Sequence, residues 1–181
     1  MRMVVCFKIV ADFEDVIPTD WDHMEALDFS YVKKIYGCYD EAALETALRL
    51  KDELVAAGEN VRSVAVTVGG GPGVLFTGLY AAGFDDVVRI EGSDSEFAPG
   101  RTAAMLIGFL KEEQPELVFT GQTVGACDSG MVPALVAAGL GYGWLDAVTE
   151  VHFNPQEKQV EAVCEDENFL VNRALMAPAV L

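Results

Sequence analysis

Apolar positions recur along this chain with two periods, one near two residues and one near three and a half, and the changes of period mark out its elements. Residues 4–10 form a short apolar run with β-branched side chains and predict a buried strand. Residues 12–36 keep no period, carry Pro18, Trp21 and many acids, and predict a long excursion over the surface. A helix follows. Asp40 suits its N-cap and Glu41 its first turn, where the helix dipole favours negative charge. Ala43, Leu44, Ala47, Leu48 and residues 51–54 keep helical spacing, and Gly58 supplies the stop.

The alternation then repeats. Residues 61–68 read as a strand that runs into the glycine-rich turn 69–73, and residues 74–82 as a helix closed by Gly83. A short strand at 87–90 precedes a helix over 99–113, with Ala103, Leu106, Ile107 and Leu110 on one face. Residues 117–120 predict another buried strand ending at Gly121, and residues 129–139 a fourth helix. Strands alternating with helices specify an α/β fold with a doubly wound, mostly parallel sheet. The last forty residues change character. Segments 147–153, 159–164 and 170–175 read as strands joined by turns at 154–156 and 165–168, an antiparallel meander added to the core. Residues 178–181 look like the opening of one more buried strand. The expected organisation is a single domain over 1–181, with an α/β core at 1–145 and the β meander at 146–181.

Composition narrows the function. Half of the 181 residues are hydrophobic and seventeen are glycine, as in globular α/β proteins. The formal net charge is −17, which repels phosphate backbones and excludes nucleic acid as a natural partner. The N-terminal apolar run is followed by Asp12, Glu14 and Asp15 without a cleavage site, so it reads as a strand and not a signal peptide. The weakly polar run 131–144 is too short to span a bilayer. A soluble, cytoplasmic protein is the expectation. Cys6, Cys38, Cys127 and Cys164 form no CxxC or CxxH pair, so no metal site is expected and four free thiols are. His23 and His152 each stand alone, and His152 reads as a strand-face residue.

Ligands of open α/β sheets bind beyond the carboxyl ends of the strands, near a switch in strand order. Three segments meet that description: the one after the first strand, the turn 69–73 and the loop 121–130. The last two are glycine-rich and lead into helix N-termini, which favour anions. The turn 69–73 is equally well explained as a tight turn without a ligand. The chain has no GxxxxGK[ST] or GxGxxG spacing, no GxSxG elbow and no HExxH. Asp40 and Glu41 are neighbours on a helix and face apart, so they make no acid/base pair. Nothing here assembles a hydrolytic machine.

The order of segments resembles the beta subunit of electron transfer flavoproteins, in the version similar to FixA proteins. The residues that carry the resemblance are VVCFKIVAD at 4–12, YDEAALETALRLK at 39–51, VTVGG at 66–70, AAGFD at 81–85 and GQTVGACDSGMVP at 121–133. It covers essentially the whole chain. It implies the adenine-nucleotide-binding α/β fold shared with universal stress proteins and ATP pyrophosphatases. It also implies a pocket for AMP, or for a second FAD in electron-bifurcating members. Carried across by position, the adenine side involves Cys6, the turn Gly37, Cys38, Tyr39 and Asp40, and Val68. The phosphate side involves Asp128, Ser129, Gly130, Val132 and Pro133, in the loop that also holds Gly121 and Met131, with Ser129 opening the helix.

The implied activity is electron carriage, not catalysis by this chain alone. An FAD held mainly by an alpha subunit would take electrons from acyl-CoA dehydrogenase-type or other redox partners, and the two subunits would form a heterodimer. The chain departs from the family pattern at Ala126, where an acid is usual, at Cys127, usually glycine, and at Met131, usually glutamine. Loss of that glutamine removes hydrogen-bonding capacity from the ligand loop. Family members also continue past the strand that starts at Pro178, into a partner-recognition loop and a C-terminal arm. Two rival readings remain at this level. One is a stand-alone adenine-nucleotide sensor resembling universal stress proteins. The other is an enzyme of the ATP pyrophosphatase kind, which would need an SGGxDS-type loop where this chain has Val10, Ala11, Asp12 and Phe13.

Overall fold

A computed structural model describes residues 1–12, 32–92, 98–123 and 129–181. Most of the expected acidic excursion, with Pro18, Trp21 and His23, lies outside the described residues, as do Ala126, Cys127 and Asp128. In chain order the elements are β1 (Arg2–Cys6), β2 (Ile9–Ala11), β3 (Lys34–Tyr36), α1 (Cys38–Ala56), β4 (Arg62–Val68), α2 (Gly73–Ala82), β5 (Asp86–Ile90) and α3 (Pro99–Glu113). They continue with β6 (Leu117–Thr120), α4 (Val132–Leu140), β7 (Gly143–Trp144), β8 (Val148–Asn154), β9 (Gln159–Asp166), β10 (Phe169–Ala174) and β11 (Ala179–Val180).

Six strands form a parallel sheet in the order β5-β4-β1-β6-β11-β7. The chain winds outward from β1 to β4 and β5, then crosses back to β6 on the other side, so the strand order switches at β1/β6. Both faces of this sheet are covered, which explains why its strands read as continuous apolar runs. On one face Met3, Val5 and Phe7 pack with Leu44, Leu50 and Leu54 of α1 and Leu79 of α2. On the other, Val4 and Cys6 pack with Leu106 and Leu110 of α3 and Val136 of α4.

The meander is a separate antiparallel sheet, β10-β9-β8, whose Val151, Val160 and Ala162 close over the α1 face. Residues 179–180 then return to the parallel sheet between β6 and β7, in keeping with the strand signal at 178–181.

Three boundaries differ from the sequence reading. The run 4–10 is not one strand. β1 stops at Cys6, and β2 turns away to pair with β3 as a two-stranded ribbon. The Gly37 amide donates to the Lys8 carbonyl at 3.0 Å, which closes that ribbon onto the start of α1. Asp40 is not the N-cap of α1. Gly37 holds that place, its carbonyl accepting the Glu41 amide at 2.8 Å, and Asp40 is buried in the first turn. Ser129 does not open α4, because Met131 caps it and the first helical bond runs from the Leu135 amide to the Met131 carbonyl at 3.0 Å.

Two polar ties fix α1 against its neighbours. Lys51 Nζ donates to Asp85 Oδ2 at 2.8 Å, to the Gly83 carbonyl at 2.7 Å and to Ser63 Oγ at 3.0 Å. The Ser63 amide donates to the same Asp85 oxygen at 2.7 Å. Burial alone would raise the Asp85 carboxyl, but the hydrogen bonds from Lys51 and Ser63 hold it below its ordinary value. Further along, Glu53 joins α1 to the meander. Its Oε2 accepts the Phe153 amide at 2.7 Å, and its Oε1 lies 3.1 Å from His152 Nδ1. His152 Nε2 is 3.2 Å from Glu150 Oε2. The hydrogen bonds to Glu53 and then Glu150 raise the His152 pKa.

Both ties carry a pH signature. A raised histidine stabilises the fold fully below its unfolded value of about 6.5, and that contribution is lost as pH rises through the folded value. His152 is more than half exposed, so the effect is at most about 1 kcal/mol. Urea titrations from mildly acidic to alkaline pH should show His152→Ala least stable relative to wild type at the acid end, with the gap closing upward. A gap independent of pH would contradict this. Asp85 has the opposite sign, because a depressed carboxyl stabilises above its unfolded value and loses that contribution as pH falls through the folded one. Asp85→Ala is expected to cost about 1 kcal/mol at neutral pH and little near pH 2 in the same titrations.

Candidate functional site

The carboxyl ends of β1 and β6 meet the start of α1 where the strand order switches, the usual ligand position in open α/β sheets. Gly121 follows β6 directly. A Cβ placed there would stand 2.5 Å from Asp40 Oδ1 and 2.9 Å from the Asp40 amide nitrogen, so only glycine lets α1 and β6 approach this closely. Asp40 in turn sits beside Cys6, the last residue of β1. Burial pushes the Cys6 thiol up to about 12, and the Asp40 charge adds to the shift. A thiol so raised stays protonated and makes no nucleophile. Val68 ends β4 within the same buried cluster as Cys6.

The loop after Gly121 returns at Ser129, whose Oγ accepts the Met131 amide at 3.4 Å. Gly130 has φ 62 and packs against the Gln122 carbonyl and Thr123. Here α4 begins, and the Val132 and Ala134 amides lie ahead of its first helical bond while Pro133 brings none. These amides are anion donors by position. The turn 69–73 behaves differently. A Cβ at Gly71 would meet the end of the Ile9 side chain on β2, which would have to turn aside to admit it.

A cavity of about 520 Å³ opens on the α1 side of this region. One wall is the stripe Tyr39, Ala42, Ala43 and Thr46 of α1, a second is Gln122, Thr123, Gly130 and Pro133, and a third is residues 144–149 with Glu165. The sequence-derived residues therefore divide. Tyr39, Gly130 and Pro133 line the cavity, whereas Cys6 and Val68 lie under α3 and α4 on the opposite face. Gly37, Asp40 and Gly121 stand between the two groups, Cys38 is exposed beside them, and Met131 and Val132 begin α4 at the cavity edge. Asp128 is outside the described residues.

Sequence reasoning missed Thr46, Trp144, Asp146 and Glu165. The spacing of Tyr39, Ala42, Ala43 and Thr46 at i, i+3, i+4 and i+7 marks a second helix stripe and was available. Trp144, Asp146 and Glu165 reach the cavity only through the return of the meander, which carries no local signal. Among the described residues no group of three or more His, Cys, Asp or Glu side chains could hold a metal ion. No helix among them is long and apolar enough to cross a membrane.

A curated relative, the electron transfer flavoprotein subunit beta of Bradyrhizobium diazoefficiens, is 27% identical over 183 residues, covering 100% of this chain and 70% of the relative. Residues 31–181 match the family model described as the electron transfer flavoprotein domain, a span that includes α1, β6 and the meander, and the chain accordingly belongs to that family.

Proposed function

We propose that this chain is the beta-type subunit of an electron transfer flavoprotein of the FixA-like kind, a single domain that binds an adenine nucleotide and works as one half of a heterodimer in the cytoplasm. The carrying observation is the approach of Gly121 to Asp40, which brings the start of α1 against the end of β6 at the switch point, where open α/β sheets usually take ligands. The adenine would lie against Cys6, residues 37–40 and Val68. The phosphate of AMP, or of a second FAD, would meet residues 128–133. Met131 offers no amide side chain at that mouth, so the backbone amides of α4 would take over anion binding. Cys6 supports this role as a buried, uncharged wall on the adenine side.

Electron carriage in the complex would come from an FAD held mainly by the alpha-type partner. This chain contributes position and electrostatics and is not a catalyst by itself. The protein's acidity favours redox partners with basic docking faces.

Two measurements test the reading. Denaturing the purified protein and identifying the released nucleotide by mass spectrometry, beside a visible absorbance scan, should yield AMP without flavin colour. Released FAD would assign the bifurcating kind, and no nucleotide at all would sink the nucleotide half of the proposal. Gly121→Ala should then lose nucleotide occupancy by roughly tenfold or more, because Asp40 and the α1 start must shift to admit the methyl group. Full occupancy in a folded Gly121→Ala protein would show that this approach does not shape the pocket.

A further inference from the structure

Exposed apolar side chains scattered singly need no explanation, whereas a cluster of them marks a contact surface. Among the described residues the large ones are unevenly placed. Val55, Val74, Tyr80 and Met176 are dispersed over α1, α2 and the segment after β10. Five others gather at one end of the molecule. Tyr39 and Trp144 line the cavity, and Met131 lies between its lining residues Gly130 and Pro133. Phe169 and Leu170, 72% and 70% exposed, project from the β9–β10 hairpin. That hairpin belongs to the same surface. Leu170 pairs with Glu165, which lines the cavity, and the Glu165 amide donates to the Ala147 carbonyl at 2.9 Å, three residues from Trp144.

The surround of this apolar centre is acidic. Asp146 and Glu165 line the cavity and Asp166 and Glu167 complete the hairpin turn, all of them exposed. Arg173, 4.0 Å from Asp166, offsets one of these charges. No lysine or arginine is among the described residues that line the cavity. Such a surface disfavours a second copy of this chain, since two acidic rims on two proteins of net charge −17 would face each other. It suits a polypeptide with an apolar centre and a rim of arginine or lysine.

We propose that the cavity mouth and the β9–β10 hairpin, from Tyr39 and Trp144 to Phe169 and Leu170, form the face on which the alpha-type subunit docks, and that the partner's facing surface is apolar with a basic rim. This rests on the heterodimer reading above. The aromatic side chains supply the anchor, being large, stiff and half exposed before docking. The carboxylates supply steering and register. β10 is an edge strand whose side chains stand exposed on both of its faces, save the half-buried Val171, and a partner would cover them.

The test is pairing with the co-expressed alpha-type subunit, with the dissociation constant read by calorimetry and folding checked by circular dichroism and thermal melting. The double variant Phe169→Asp/Leu170→Asp should weaken pairing by roughly tenfold or more while keeping the wild-type melt. Val74→Asp, on the distant α2, should pair as wild type does. Raising salt well above the physiological range should weaken the wild-type complex, as a screened acidic–basic contact requires. A double variant that pairs like wild type overturns the inference and leaves the heterodimer reading intact. Failure of the wild-type chain to pair at all overturns both. A wild-type homodimer that the double variant converts to monomer assigns this face to a second copy and overturns the proposal.

Discussion

Residues Met3 to Phe7 lose nearly all solvent contact on both faces of the central sheet, and each successive side chain must find an apolar layer of its own. Met3, Val5 and Phe7 oblige α1 and α2 to cover one side, and Val4 and Cys6 oblige α3 and α4 to cover the other. The parallel pairing of β1 with both β4 and β6 then requires crossovers of the same hand in opposite directions along the sheet. The strand-order switch beside β1 follows from this. So does the crevice at its carboxyl end, bordered by Cys6, Gly37–Asp40 and Gly121, the kind of place where open α/β sheets usually take ligands.

Charge has a second, independent organisation. Among the described residues one carboxylate side chain, that of Asp40, is buried, whereas Asp85 is exposed. Asp40 lies in the first turn of α1, and Asp85 is held by Lys51 and Ser63. Most of the other acids among the described residues are exposed, where they shape the surface potential and not the fold. Stability therefore depends mainly on the two apolar layers, and the acidity is free to serve recognition. The weakness of the exposed His152–Glu53 contact is consistent with that division. It pins the meander to α1 without being the reason that the meander packs there, which Val151, Val160 and Ala162 supply.

The fold was legible wherever a local period was strong. The α3 and β6 boundaries match the reading from periodicity, and α1, α2, β4 and β5 match within a few residues. The sequence misled at three kinds of place. In residues 4–10 an unbroken apolar run hid the turn of the chain between β1 and β2, because a period cannot register a change of partner. At Asp40 a good capping residue stood two positions inside the helix, since tertiary contact with Gly121, not capping, decided its place. At 129–131 a polar loop preceded α4, and Ser129 turned out to bond its own loop. The site was legible only in halves. Glycine-rich loops and helix starts are local features, whereas the cavity wall built from residues 144–149 and Glu165 is made by chain return over long sequence distance.

Helix α1 joins these levels. Its stripe of Leu44, Ala47, Leu50 and Leu54 is buried in the sheet and binds the helix to β1. A second stripe, Tyr39, Ala42, Ala43 and Thr46, borders the cavity, and the small size of Ala42 and Ala43 is what leaves that space unfilled. Asp40 contacts the switch point at one end, and Glu53 holds the meander near the other, about 20 Å along the same helix. A helix packed this tightly moves as one body, because close-packed side chains yield little to local strain. A ligand that repositions its first turn at Gly37–Asp40 would therefore be felt at the meander, and a partner seated on the hairpin would be felt at the nucleotide end. Coupling between the two would then be carried by the shift of a helix anchored at both ends and stiff in between.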